Sequence, residues 1–389
     1  MILYGEAMSA NPSALECQPY FTRGDPLTHF LKGRLCLNPW LGMILLVTLI
    51  NLPLLVIATV DNLWMDRDGL VGLAHDFGWW ILQFASFPAT IFYFLWASDG
   101  INQVLDGLEA NHVVVMPTVA AGEITPYEQF KREFDKNYSR PAWIALSLIL
   151  AILFAILIIP VHRAFKSWAA LDEVAFWYTA FVWFLLAFAI CLLILRGAIV
   201  MYWFNRLFRR FEIRVRPLHK DGAGGLAPLG NFSVKVGYLI AIYGFAAVVL
   251  ALGQSYLTTG QLGGLVLNLP LTIILVLYLI LSPLAFLAPI GTAHAAMQRA
   301  RRNFLHRVAD QLETDLAHLQ NSFSASALEL KNDLDKIEQL QRVHALALRF
   351  PVWPFNTANL VRFFSSTLSP VVLALAPTVG NLLARFIIR

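Results

Sequence analysis

The 389 residues are 58% hydrophobic and only 14% charged, with 29 basic against 25 acidic side chains. A soluble chain carries nearer a quarter charged residues, so a water-soluble domain hiding this much apolar surface is excluded, and the small positive balance does not point to nucleic acid. Three scattered cysteines, Cys17, Cys36 and Cys191, lack any CxxC or Cys/His spacing and are expected as unpaired thiols rather than a disulfide framework or zinc site.

Residues 1–39 precede the first apolar run. Residues 1–10 contain no basic residue, so no cleavable signal peptide is expected, and the first span is expected to act as an uncleaved anchor. A helix crossing a hydrocarbon core needs about 20 apolar residues. Seven runs approach that length: 40–60, 77–97, 142–161, 174–195, 236–257, 265–290 and 363–384. The last holds Pro370 and Pro377, which leaves it as a span, a re-entrant piece or an interfacial one. Trp40, Trp79, Trp80, Trp96, Trp143 and Trp177 mark run ends, as indoles of an interfacial belt do. The fold class expected is all-α: a polytopic transmembrane bundle of six or seven spans with a cytoplasmic helical hairpin.

Basic residues sort the segments between runs. Three precede the first run, four lie in 98–141, eight in 196–235 and nine in 291–362, against one in 61–76, two in 162–173 and none in 258–264. Alternate segments thus hold 24 against 3, which places the N-terminus and the larger soluble segments in the cytoplasm.

In segment 98–141, between spans one and two (40–97) and the next spans, 101–110 reads as a short helix, 113–115 as extended, and 126–138 as a second helix. Thr125 is its expected N-cap, with Pro126 first and Glu128 third; its charges are expected on a solvated face. Residues 196–211 continue the fourth span, and their arginines and aromatics are expected to pass the lipid headgroups. Residues 142–290 carry spans three to six and a glycine-rich loop, 212–235. From 291 to 350 no proline breaks a helical pattern with Leu305, Val308, Leu312, Leu316, Leu319 and Phe323 on one stripe and Leu330, Leu334, Ile337 and Leu340 on another. A weak helix-forming cluster at 321–326 places a turn there. The stripes then meet in an antiparallel coiled-coil-like hairpin or pack on neighbouring subunits. Residues 351–389 are membrane-associated or a seventh span.

The glycine loop offers two readings. Gly222, Gly224 and Gly225 permit positive φ and free backbone N–H groups, with Arg214, Arg216, His219, Lys220 and Asp221 beside them, which suits a nest for a cytoplasmic anionic ligand. The plainer reading is a tight turn braced by His219 and Asp221. The loop resembles the His-x-Asp-x-x-Gly-Gly-Leu loop of uncharacterised bacterial polytopic inner-membrane proteins, through His219, Asp221, Gly224, Gly225 and Leu226. That resemblance covers about a dozen residues; it implies a bacterial inner-membrane location and no activity.

Catalytic motifs are missing. The histidines form no HxxxH, and His294, His306 and His318, twelve residues apart, point about 120° from one another on a helix and share no metal. No catalytic residue, metal or cofactor is expected. No carboxylate lies within a run, which disfavours an ion-coupled transporter. Asn51, Thr179, Gln254, Thr272 and Ser282 are the pore-lining candidates, or else helix-packing contacts. Two functions stay open: a homo-oligomeric channel gated from the cytoplasm, with Pro283 and Pro289 as hinge, or a non-conducting membrane-anchored sensor or scaffold that recruits a partner protein through the hairpin.

Overall fold

The computed structural model describes residues 25–115, 123–164, 168–215, 219–259, 269–321, 327–348, 352–354 and scattered positions between 361 and 372. Eight long helices account for most of them. They are α1 (Pro39–Val60), α2 (Phe77–Ala110), α3 (Pro126–Tyr138), α4 (Pro141–Ala164), α5 (Glu173–Arg210), α6 (Ala227–Thr259), α7 (Leu269–Asn321) and α8 (Ala327–Leu348). Five carry stretches long and apolar enough to cross a membrane: α1, α2, α4, α5 and α6. The sixth apolar run forms the start of α7, and the seventh lies almost wholly outside the described residues.

Local chemistry sets the helix ends. Asn38 caps α1, its side-chain oxygen accepting the Leu41 N–H at 2.8 Å, with Pro39 in the first turn. Thr125 caps α3 as its sequence promised, accepting the Glu128 N–H at 3.1 Å. Within α2 the turns widen to π geometry over Leu82–Ser86 just before Pro88, where a ring without an N–H would otherwise crowd a tighter turn. Helices α1 and α4 leave Leu45, Leu49, Leu52, Ile149, Leu153 and Leu157 exposed. Such apolar surface fits lipid as its solvent.

The loops sort onto two sides. On one, segment 61–76 and the turn after α4 make a small cap: the Trp168 backbone N–H donates to the Val71 carbonyl at 2.7 Å, and its indole donates to Asp76 at 3.1 Å. Trp79 meets Trp168 edge to face at 5.6 Å. On the other side, α2 and α5 run on past their apolar stretches and meet α3 around an aromatic core of Tyr127, Phe130, Phe134, Trp203, Phe204 and Phe208, all nearly inaccessible. Phe134 stacks on Trp203 at 5.5 Å and 9°. Ile101, Leu105, Leu226 and Leu229 close this core, and Val114 pairs with Ile213 in a single antiparallel bridge.

Several expectations are corrected here. Trp79 and Trp96 are buried in helix packing rather than belted at the lipid surface, whereas Trp40 and Trp177 are exposed. Trp203, Phe204 and Phe208 face the aromatic core, not headgroups. The charges of α3 are not all solvated, because Lys131 reaches Asp106 and Glu109 of α2 at 3.0 and 2.6 Å and Glu133 meets Arg210 of α5 at 3.3 Å. Cys36 is disulfide-bonded, while Cys191 is free.

Helices α7 and α8 form the antiparallel hairpin, the first ending at Asn321 and the second beginning at Ala327, while the residues expected to turn, 322–326, lie outside the described residues. Asp315 pairs with Lys336 at 2.7 Å and His318 with Asp333 at 3.4 Å. Nearer the bundle the Arg301 guanidinium donates to the Leu348 carbonyl at 2.8 Å. The buried seam follows heptad spacing through Leu305, Val308, Leu312, Asp315 and Leu319, and through Asp333, Ile337, Leu340, His344 and Ala347. Leu316 and Leu334 lie outside it, 39% and 50% exposed; Asp315 and Asp333 take the seam, where Asp315 meets the Lys336 ammonium and Asp333 the His318 ring from the other helix. Phe323 and Leu330 have side chains outside the described residues. Nitroxides at 302 and 346, read by electron–electron dipolar spectroscopy in protein diluted with unlabelled chains, should lie within about 20 Å. A straight helix would part them by about 66 Å at 1.5 Å per residue, and a dominant distance of that size would refute the hairpin.

Candidate functional site

The glycine loop folds around its own acid. The Asp221 carboxylate accepts the backbone N–H of Ala223 at 2.9 Å, of Gly225 at 3.0 and 3.1 Å, and of Ala227, at the start of α6, at 3.2 Å. His219 Nδ1 lies 2.8 Å from the same carboxylate. Contact that close to an anion requires Nδ1 to carry the proton, rather than to accept the more distant Asp221 N–H at 3.4 Å. Burial works to raise the Asp221 carboxyl, but the N–H groups of Ala223 and Gly225, the His219 ring and the Ala227 N–H outweigh it and hold it below the ordinary carboxylate range. Gly222, Gly224 and Gly225 all adopt positive φ. At Gly225 a Cβ would stand 2.6 Å from Val113, and its carbonyl accepts from Asn111 at 2.9 Å. The loop is thereby pressed onto the end of α2.

Asp221 thus takes the N–H groups of Ala223, Gly225 and Ala227, and the Gly222 N–H donates to the His219 carbonyl at 3.1 Å, so of the three glycines two have their backbone donor engaged within the loop. The geometry is that of a braced turn. Lys220 and Arg214 point to the exterior, and Arg216 lies outside the described residues.

A second polar cluster lies where α5 leaves its apolar run. Arg196 is almost fully buried, and its guanidinium donates to Asp25 at 2.6 Å, whose side chain is also buried. The Phe94 and Tyr138 rings flank the guanidinium at 5.2 and 5.1 Å. Asp25 also accepts the Thr28 N–H at 2.9 Å and the Thr28 hydroxyl, capping a short helical clip over 26–34. From this clip buried Lys32 donates to Ser98 at 3.0 Å and pairs with Asp99 at 2.6 Å, both on α2. Two ion pairs thus fasten the N-terminal segment across α2 and α5. Sequence reasoning missed both, because their partners stand 171 and 67 residues apart; the only local signal was an arginine directly following an apolar run.

Two of the pore candidates bond within their own helices. Asn51 on α1 donates to its own helix at Val47, at 2.9 Å, and Thr179 on α5 donates to Phe176, at 2.8 Å. Ser282 on α7 is buried, and the Gln254 and Thr272 side chains lie outside the described residues. Helix α7 passes through Pro283 and Pro289 without interruption. A cavity of about 410 Å³ opens between α2 and α6 instead, and no pore candidate lines it.

These features define the class: an all-α protein with, among the described residues, five helices long and apolar enough to cross a membrane, and an elaborated assembly on one side. No protein-family model, curated protein or solved structure matches the chain.

Breaking a buried ion pair typically costs about 3–5 kcal/mol, whereas removing both partners costs much less. Arg196→Met should lose stability on that scale in detergent unfolding, and Asp25→Leu with Arg196→Met should recover at least half of it. Equal loss in single and double variants would show that the pair is not the clamp. Asp221 gives a pH test. Its folded pKa is depressed, so its contribution is full above about pH 4, the ordinary carboxylate value, and drains as pH falls toward the folded-state pKa. Asp221→Asn should lower Tm at neutral pH and flatten the acid limb of the Tm profile; an unaltered acid limb would contradict the bracing role.

Proposed function

We propose that the chain is a non-conducting, membrane-anchored sensor or scaffold in which the α7–α8 hairpin is the arm offered to a partner. The observation that carries this reading is the continuity of α7 over 53 residues, from the sixth apolar run to the tip of the hairpin. Such a helix is about 80 Å long. It couples whatever meets the arm to the packing of the spans, since Thr292 donates to Asn205 of α5 at 2.7 Å and Ala293 and Met297 are buried in the aromatic core.

A pore gated at Pro283 and Pro289 has less in its favour. Among the described side chains, Asn51 and Thr179 are bonded to their own helices and Ser282 is buried, and the gating hinge falls inside an unbroken helix. The orientation with the N-terminus and hairpin in the cytoplasm rests on the distribution of basic residues, and assembly into homo-oligomers remains part of the proposal.

Purified protein fused into planar bilayers should give no unitary conductance, with or without α8. A conductance that vanishes on deleting α8 would establish the gated pore instead. Spin labels at the exposed positions 276 and 302 should give one narrow distance near about 39 Å, the span of 26 helical residues; two populations would restore the hinge.

A further inference from the structure

The cavity between α2 and α6 is built unlike the rest of the bundle. Its floor is aromatic: Trp96 and Phe232 stack on each other at 5.4 Å and 27°. Its polar lining comes from Gln103, Asn231, Tyr238, Lys235 and Arg362. Two of those groups are cations and none of the lining residues is a carboxylate. The Lys235 ammonium rests over the Trp96 ring at 5.1 Å, and no salt bridge engages it among the described residues. Gly100 keeps the space open, since a Cβ there would stand 2.6 Å from Trp96 and 3.1 Å from Phe232.

Position decides the class of ligand. Residues 96–103 of α2 lie where the apolar run 77–97 ends, and residues 228–238 of α6 lie where the run from 236 begins. The cavity therefore straddles the membrane boundary on the hairpin side, at the depth of lipid phosphates. Its volume falls in the usual range of small-ligand sites, about 300–1,000 Å³. A nucleobase has no open ring face to stack on at Trp96, because Phe232 and the Lys235 ammonium already occupy contacts on that indole. Methylenes need only apolar contact, which Trp96, Phe232 and Val234 supply.

We propose that this cavity binds an anionic phospholipid. Lys235 and Arg362 hold the phosphate, Gln103 and Tyr238 hydrogen-bond the headgroup, and the glycerol and first methylenes lie along the aromatic floor. The shared chemistry is a phosphate monoanion on an apolar stem, and an unpaired cation beside an indole suits it better than a zwitterion. Nothing in this site depends on whether the hairpin serves a sensor, a scaffold or a pore.

The test is native mass spectrometry of the full chain released from phosphatidylcholine nanodiscs carrying graded phosphatidylglycerol. Wild-type protein should retain one phosphatidylglycerol in preference to phosphatidylcholine. Lys235→Ala and Arg362→Ala should each weaken that preference about fivefold, as expected for one cation at a membrane surface, and more so at low salt. Both side chains are exposed, so an unchanged circular-dichroism melt separates lost binding from lost fold. Gln103→Leu should alter the choice among anionic headgroups with less effect on overall retention. Equal retention of both lipids, or a preference that survives the double substitution, overturns the proposal. Displacement of the lipid by free glycerol phosphate at micromolar concentration overturns it too, reassigning the cavity to a soluble phosphate.

Discussion

A buried arginine organises the side of the molecule that carries the hairpin. Arg196 directly follows the longest apolar stretch of α5, and a guanidinium withdrawn from water is tolerated only with an anion and enclosing groups around it. The acids nearest in sequence, Glu173 and Glu212, are more than ten residues away along the helix direction. The anion comes instead from Asp25, so the chain before the first span has to return to the bundle. Once there, its clip places Lys32 against Asp99 of α2. The phenyl and phenol rings of Phe94 and Tyr138 close over the guanidinium, which draws the end of α3 into the same contact.

The aromatic core next to this clamp solves a different problem. Helices α2 and α5 both continue past their apolar stretches, and an assembly of so few residues has little area with which to bind them together. Six large rings from α3 and α5, nearly all out of contact with solvent, concentrate apolar area where it is scarce, and edge-to-face pairs add attraction beyond area alone. Lys131 and Glu133 then link the outward side of α3 to both neighbours. The glycine loop completes the wall: Asp221 gathers its backbone donors, and Gly225 lets the chain approach Val113 closely. This loop is a structural corner whose acid is spent internally.

What could be read from the sequence follows from the range of each interaction. The Thr125 cap and the break between α7 and α8 are local, carried within a few residues, and the apolar runs are cumulative, spread over whole segments. The pairing of Arg196 with Asp25 is neither, because nothing near position 196 encodes a partner 171 residues earlier. The hairpin seam misled for a subtler reason. The leucine stripe and the seam share Leu305, Val308, Leu312 and Leu319 and part at Asp315 and Leu316, about 100° from each other on the helix, where Lys336 on the other helix pairs with Asp315. Trp79 and Trp96 sit at the ends of apolar runs just as Trp40 does, yet hydropathy does not say which side of a helix meets lipid. The three glycines permitted both a ligand nest and a self-filled turn; only the position of the Asp221 side chain distinguishes them.

Helix α7 has a mechanical consequence. About 30 of its residues extend beyond the apolar run, an arm of roughly 46 Å at helical rise, and Thr292, Ala293 and Met297 grip it close to the bundle. Those contacts act as a fulcrum at the base of that arm, near the middle of the 53-residue helix. A tilt of about 5° there displaces the far tip by about 4 Å, one side chain's breadth, while the residues at the fulcrum shift by only a small fraction of an ångström, well within the play of packed helices. The arm thus amplifies motion outward and, read in the other direction, delivers a force at its tip to the membrane end with a mechanical advantage set by its length.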